Sequence, residues 1–147
     1  MENIAILKKM GLFDGLDAME LIQISKRVGH HRYKKGGLVI REGDRGESLF
    51  VVKAGQFRAY VTRAGNQQDL AVFQPGETFG ELALIDAAPR SASVEALTAG
   101  EVLELQAAEF REILSHSVDL RLKIKDNLIA DLVAKLRRTN DRLLHLL

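Results

Sequence analysis

The sequence predicts an α+β domain that is mainly β, a jelly-roll β-barrel with short N-terminal helices and a long C-terminal helix. Two observations lead there. All 12 glycines and both prolines of the 147 residues lie between Gly11 and Gly100, and these residues break helices or mark turns. Within that turn-rich body, short β-rich runs are joined by glycine turns, which suggests a sandwich or a closed jelly roll.

The elements follow in order. Asp17 followed by Glu20 is a capping-box-like helix start, and Leu21, Ile24 and Val28 continue an apolar face. Residues 48–53 form a β-rich run. In residues 57–62, Phe57, Ala59 and Val61 alternate with Arg58, Tyr60 and Thr62, as in a half-buried strand. Residues 53–56 and 63–66 each carry a glycine at a hairpin-turn position. Residues 70–74, 91–97 and 101–106 are further strand candidates, and His30 and His31 would point to opposite faces of a strand. Residues 107–114 predict a short helix, with Ser117 the N-cap of a longer one running to Leu147.

That helix carries Ile124, Leu128, Leu132, Leu136, Thr139, Leu143 and Leu146 at spacings of three and four. The stripe outruns what a small barrel needs, so it reads as a dimer seam, with packing against the chain's own body as the other reading. One domain over residues 1–147 is expected: helices in 1–29, a barrel in 30–106 and helices in 107–147.

Composition bounds the function. Hydrophobic residues make up 46%, enough for a core. A formal net charge of +1 gives no electrostatic case for nucleic acid or an anionic membrane as main partner. With no cysteine, disulfides, thiol catalysis and metal–thiolate sites are excluded. The N-terminus does not read as a signal peptide, and no apolar run approaches the ~20 residues of a membrane span. A cytoplasmic protein is expected.

The most informative stretch is residues 79–94, FGELALIDAAPRSASV. Gly80 lets another group approach the backbone closely. Residues 82–86 could make one helical turn, whose start exposes N–H groups to an anion. Arg90 could hold a phosphate bidentately, and Glu81 could accept hydrogen bonds from sugar hydroxyls. An acid for a ribose and a base for a phosphate imply a nucleotide. A mutual Glu81–Arg90 salt bridge that merely closes the loop is the bland alternative.

The stretch resembles the phosphate-binding cassette of cyclic nucleotide-binding domains, as in the regulatory subunits of cyclic-AMP-dependent kinase and the bacterial catabolite activator. The pattern F-G-E-(L/M)-(A/S/G)-L-x-x-x-x-P-R-x-A-x-V matches at every fixed position. The upstream run from Glu42 to Gly55 also matches, with Gly43, Gly46 and Gly55 at the family's turn positions. The resemblance implies that Glu81 binds the ribose 2′-hydroxyl and Arg90 the exocyclic phosphate oxygens. Gly80, the backbone around Leu82 and Ala83, and Ser91 would complete the cradle. Thr139 and Asn140 align with helix residues that contact the base, and Leu70, Ala71 and Phe73 would line the pocket from the barrel side. Ser91 leans towards cAMP, with cGMP the alternative ligand. The expected function is therefore a regulatory sensor of a cyclic purine nucleotide that repositions its C-terminal helix and works as a homodimer with a protein effector.

No catalytic residue, metal or cofactor is expected, and no membrane or direct DNA contact, since no recognition module follows the helix. Lys135, Arg137, Arg138 and Arg142 are read as a solvated face. The alternatives are a ligand-independent dimerisation or scaffold module and, more distantly, a metal-dependent cupin enzyme.

Overall fold

The computed structural model describes residues 2–147. Three short helical pieces open the chain: α1 (Glu2–Lys8), a 3-10 turn (Gly11–Phe13) and α2 (Ala18–Ser25). The capping box at α2 is present in full. Glu20 N–H donates to Asp17 Oδ1 at 2.8 Å, and Asp17 N–H donates to Glu20 Oε1 at 2.9 Å, so two otherwise orphan amides are satisfied.

Eight strands follow: β1 (Gly29–Tyr33), β2 (Leu38–Ile40), β3 (Ser48–Ala54), β4 (Phe57–Arg63), β5 (Asn66–Phe73), β6 (Thr78–Phe79), β7 (Ser93–Ala96) and β8 (Gly100–Gln106). They form two antiparallel four-stranded sheets, ordered β1-β8-β3-β6 and β2-β7-β4-β5. No ladder joins the two sheets among the described residues, so the expected closed barrel is corrected to a two-sheet sandwich. The reason lies at the edges. Strand β6 is only two residues long and pairs with β3 at two positions, so that edge of the first sheet offers almost no ladder to close the ring.

Two cores sit on either side of the first sheet. Between the sheets, Phe50, Val52, Phe79 and Val102 meet Ile40, Phe57, Ala59, Val94 and Ala96. On the outer face of the first sheet, Leu49, Val51, Leu103 and Leu105 pack against the helices through Leu7, Phe13, Ile24, Phe110, Leu120 and Ile124. Strands β3 and β8 are thus covered on both faces at their centres, which accounts for the apolar runs at residues 49–52 and 102–103.

The alternation expected in β4 holds from Phe57 to Ala59 and lapses after it, with Tyr60 buried and Val61 only half-buried. Tyr60 is buried although it lies on the outer face, because the Arg58 guanidinium stacks over its ring at 4.3 Å. The β4–β5 hairpin turns at Ala64 and Gly65, with φ of 52° and 80°. Two positive values in a two-residue loop match the twist of the strands.

The helical tail divides as expected: α3 (Ala107–Ser115) and α4 (Val118–His145). The Ser117 hydroxyl accepts from Leu120 N–H at 3.2 Å. The apolar stripe on α4, however, does not form one face. Leu120, Ile124 and Leu128 pack on the body. Leu122, Ile129, Val133, Leu136 and Leu143 form a separate exposed row, recurring at spacings of three, four and seven. Asn140 falls in that row. The helix is anchored by Asn127 Nδ2, which donates to the Leu12 carbonyl (2.9 Å) and the Asp14 carbonyl (2.8 Å).

Ala64 carries a Cβ in a conformation that costs a non-glycine residue about 1–2 kcal/mol, and that asparagine tolerates better. Ala64→Asn is expected to stabilise the fold by about 0.5–1 kcal/mol, read as a rise in the urea midpoint with unchanged m-value.

Candidate functional site

Strand β6 ends at Phe79, and Gly80 then takes φ 78°, ψ 15°. That left-handed geometry reverses the chain and starts a single 3-10 turn over Glu81–Leu84. Ala83 N–H is committed to the Gly80 carbonyl within the turn, at 3.1 Å. The turn aims Glu81 inward, where it is only 8% exposed. A carboxylate so placed requires a partner. It has one in Lys135 on α4, whose Nζ lies 2.5 Å from Glu81 Oε1 and 3.4 Å from Asp131 Oδ2.

Arg90 sits at the other end of the motif, and the glycine-rich loop before β3 fixes its backbone. Arg90 N–H donates to the Asp44 carbonyl (2.6 Å), Gly43 N–H to the Arg90 carbonyl (2.9 Å) and Gly46 N–H to the Ala88 carbonyl (3.1 Å). The side chain then runs inward past two glycines. A Cβ on Gly80 would meet Arg90 Nη1 at 2.8 Å, and one on Gly46 would meet Arg90 Nε at 3.3 Å. The guanidinium is held by main-chain oxygens: Nη2 donates to the Ser48 carbonyl at 2.6 Å and Nη1 to the Gly80 carbonyl at 3.3 Å.

Among the described residues, no carboxylate lies within ion-pair distance of Arg90. Burial lowers its pKa, and the charges of Glu104 and Glu81 partly offset this. A guanidinium keeps its proton regardless. Glu81 and Arg90 are therefore not each other's partners, and the loop-closing salt bridge is absent.

Both charges border one open cavity of about 1290 Å³, framed by the motif, the inner ends of β4 and β5, and α4. Gly80, Glu81, Leu82, Ala83, Arg90, Ser91 and Thr139 all line it, as do Leu70, Ala71 and Phe73. Thr139 currently donates its hydroxyl to the Lys135 carbonyl at 3.0 Å. Asn140 does not line the cavity and belongs to the exposed row of α4.

The structure corrects the solvated-face reading for Lys135, and Arg142, though exposed, is tied down. Lys135 neutralises Glu81. Arg142 Nη1 donates to the Leu70 carbonyl at 2.6 Å. That carbonyl is available because Leu70 is the extra residue of a β-bulge: Ala59 pairs with Ala71, but Tyr60 with Asp69. The signal was in the helix period. Extending the body-facing positions Ile124 and Leu128 by alternate steps of three and four reaches Asp131, Lys135, Arg138 and Arg142. The same face turns from apolar to charged where it passes the cavity.

The sequence profile described as "Cyclic nucleotide-binding domain" matches residues 30–117. The chain belongs to the cyclic nucleotide-binding domain family. It is 34% identical over 108 residues to a cAMP-dependent protein kinase regulatory subunit of Pyricularia oryzae, covering 74% of this chain and 27% of that protein. Among solved structures, it resembles the N-terminal domain of a transcriptional regulator from Streptomyces coelicolor, with TM-score 0.80, 29% identity and 94% coverage of both chains. It also resembles the regulatory domain of Toxoplasma gondii PKA crystallised with cAMP, with TM-score 0.71 and 33% identity over 76% of this chain and 43% of that one. The chain spans about a fifth to two thirds of the length of the curated relatives it matches. Among the described residues of the domain, no helix is long and apolar enough to cross a membrane, and no cluster of three or more potential metal ligands occurs.

Removing Lys135 would leave the buried Glu81 carboxylate unpaired. Lys135→Met is expected to cost about 1–3 kcal/mol of stability, measured by urea denaturation. Adding Glu81→Gln should recover part of that loss, a non-additivity that a bystander lysine would not show.

Proposed function

We propose that this domain is a cAMP sensor. The observation that supports it most is the separation of the two charges. Arg90 faces the cavity with main-chain oxygens as its hydrogen-bond partners and the Phe50 ring beside it, while Glu81 lines the same cavity at the other end of a one-turn cradle. Arg90 would take the exocyclic oxygens of the cyclic phosphate and Glu81 the ribose 2′-hydroxyl, with Gly80, Leu82, Ala83 and Ser91 shaping the cradle. Thr139, with Leu70, Ala71 and Phe73, would border the base. The names of relatives that are cAMP-dependent or crystallised with cAMP support cAMP over cGMP. Nothing in the proposed role needs a bond to be made or broken, so the domain would bind the nucleotide without turning it over, in the cytoplasm.

The output would be a movement of α4. Helices α3 and α4 are separate segments, and Ser117 between them has extended backbone, φ −148° and ψ 116°. Ligand entry at Glu81 competes with Lys135 for the same carboxylate. Only a ligand with different affinity for the two positions of α4 can shift their populations, and this shared carboxylate supplies such a difference. The exposed row of α4 would pair two copies of the chain in a coiled coil, with Asn140 at a seam position where one polar residue sets register. Each dimer would then present its state to a protein effector.

Calorimetric titration with cAMP and with cGMP tests the ligand. cAMP is expected to bind more tightly, and Arg90→Leu to lose about 2–5 kcal/mol of affinity. No heat from either nucleotide at millimolar concentration would overturn the reading. For the seam, Leu136→Lys is expected to convert the dimer to a monomer in sedimentation equilibrium. A wild-type chain that is monomeric at every concentration would remove the dimer from the proposal.

A further inference from the structure

The inner face of the first sheet is apolar at its centre but polar at the end beside the cavity. In the ladders, Phe50 stands opposite Glu104 and His31 opposite Val102. Ser48, two residues before Phe50, shares their face. Ser48, Glu104 and His31 are therefore neighbours on the side that Arg90 approaches. Ser48, which is buried, donates its hydroxyl to Glu104 Oε2 at 2.6 Å. His31 Nε2 lies 2.8 Å from the other oxygen, Glu104 Oε1. The carbonyl of the same Ser48 is the shorter of Arg90's two anchors, at 2.6 Å. A continuous chain thus runs from the guanidinium through Ser48 and Glu104 to a histidine on an edge strand open to solvent.

We propose that Glu104 positions Arg90 through Ser48, and that His31, by taking up a proton, neutralises Glu104 and so strengthens phosphate capture. This rests on the nucleotide reading given above. When His31 is neutral, the Glu104 carboxylate is an unbalanced negative charge that Arg90 feels from behind; it attracts the guanidinium and repels an incoming phosphate. When His31 is protonated, that charge is balanced within the pair, and Arg90 presents its full charge to the ligand. The sign follows: affinity rises as pH falls through the range in which histidines titrate. By reciprocity, ligand binding draws a proton onto His31.

The groups facing His31 are few. Strand β1 pairs only with β8, which contributes Glu104. Strand β3 contributes Ser48, the cassette contributes Arg90 beyond it, and Tyr33 shares the face on β1 itself. The opposite face of the same ladder holds a second pair, His30 with Glu101 at 3.3 Å, joined by Arg32 at 2.9 Å. Among the described residues, that pair makes no hydrogen bond or ion pair with Arg90, and it provides an internal control.

The test is calorimetric titration of the full chain with cAMP from about pH 6 to about pH 8, in buffers of different ionisation enthalpy. Wild type is expected to bind about fivefold more tightly at the acidic end, the low end of typical couplings because His31 is half-exposed, with net proton uptake between. His31→Gln is expected to abolish both the slope and the uptake. Glu104→Gln, whose amide oxygen can still accept from Ser48, is expected to flatten the profile at the tighter level, and His30→Gln to leave the slope intact. A flat wild-type profile, or a slope that survives in His31→Gln, would overturn the inference while leaving the nucleotide reading standing. Absence of cAMP binding at every pH would overturn that reading, and this inference with it.

Discussion

The structure is organised around one half-buried cation that pairs with no carboxylate among the described residues. Two carbonyl oxygens can orient the Arg90 guanidinium, but they cannot cancel its charge. Holding it there uses much of the fold. Strand β3 supplies one carbonyl, and Gly80 supplies the other. The loop before β3 fixes the arginine's backbone, and glycines at 46 and 80 leave room for its side chain. Burial alone would disfavour the charge, and the distant carboxylates of Glu104 and Glu81 soften that cost without occupying the guanidinium. What remains is an electrostatic preference for an anion in the cavity.

The opposing charge is handled differently. Glu81 is buried and paired, but its partner is carried by α4 rather than by the sandwich. The acid that would hold a sugar is thus also a latch for the helix. A second latch, Arg142 on the bulged carbonyl of Leu70, holds the helix further along. The N-terminal half of α4 is fixed by apolar packing and by Asn127, while the C-terminal half is fixed by polar contacts across a cavity. Polar contacts that span a cavity can be exchanged for contacts to a ligand at small net cost, whereas core packing cannot. The division between a fixed half and an exchangeable half is the physical basis for any motion of this helix.

Much of this was legible in the sequence because local rules suffice for it. Asp17 with Glu20, Ser117, and the turn at Ala64-Gly65 act through their own neighbours, and the cassette pattern carries its own spacing. Less legible was whatever depends on pairing at a distance. Strand β1, GHHRY, is an exposed edge with no alternation of its own, and β2 and β6 are too short to show a period. The polar start of β5 becomes strand only because the turn before it forces Arg63 opposite Asn66. The single stripe on α4 split in two because leucines at 136 and 143 were grouped with Ile124 and Leu128, which face the body. Short strands joined by glycine turns suggest a sandwich and a closed jelly roll equally, and the two-residue β6 decides between them only once its pairing is seen. Lys135 was missed as a site residue because a lysine on a long helix is usually solvated, and only the carboxylate opposite makes it otherwise.

The central claim is that Arg90 is held free of carboxylates so that it can receive a cyclic phosphate. A crystal structure of the chain grown with cAMP tests this most directly. The account predicts the exocyclic phosphate oxygens on the Arg90 guanidinium, the ribose 2′-hydroxyl on Glu81, and a changed position of Lys135. A nucleotide bound elsewhere, with Arg90 still held only by the Ser48 and Gly80 carbonyls, would contradict it.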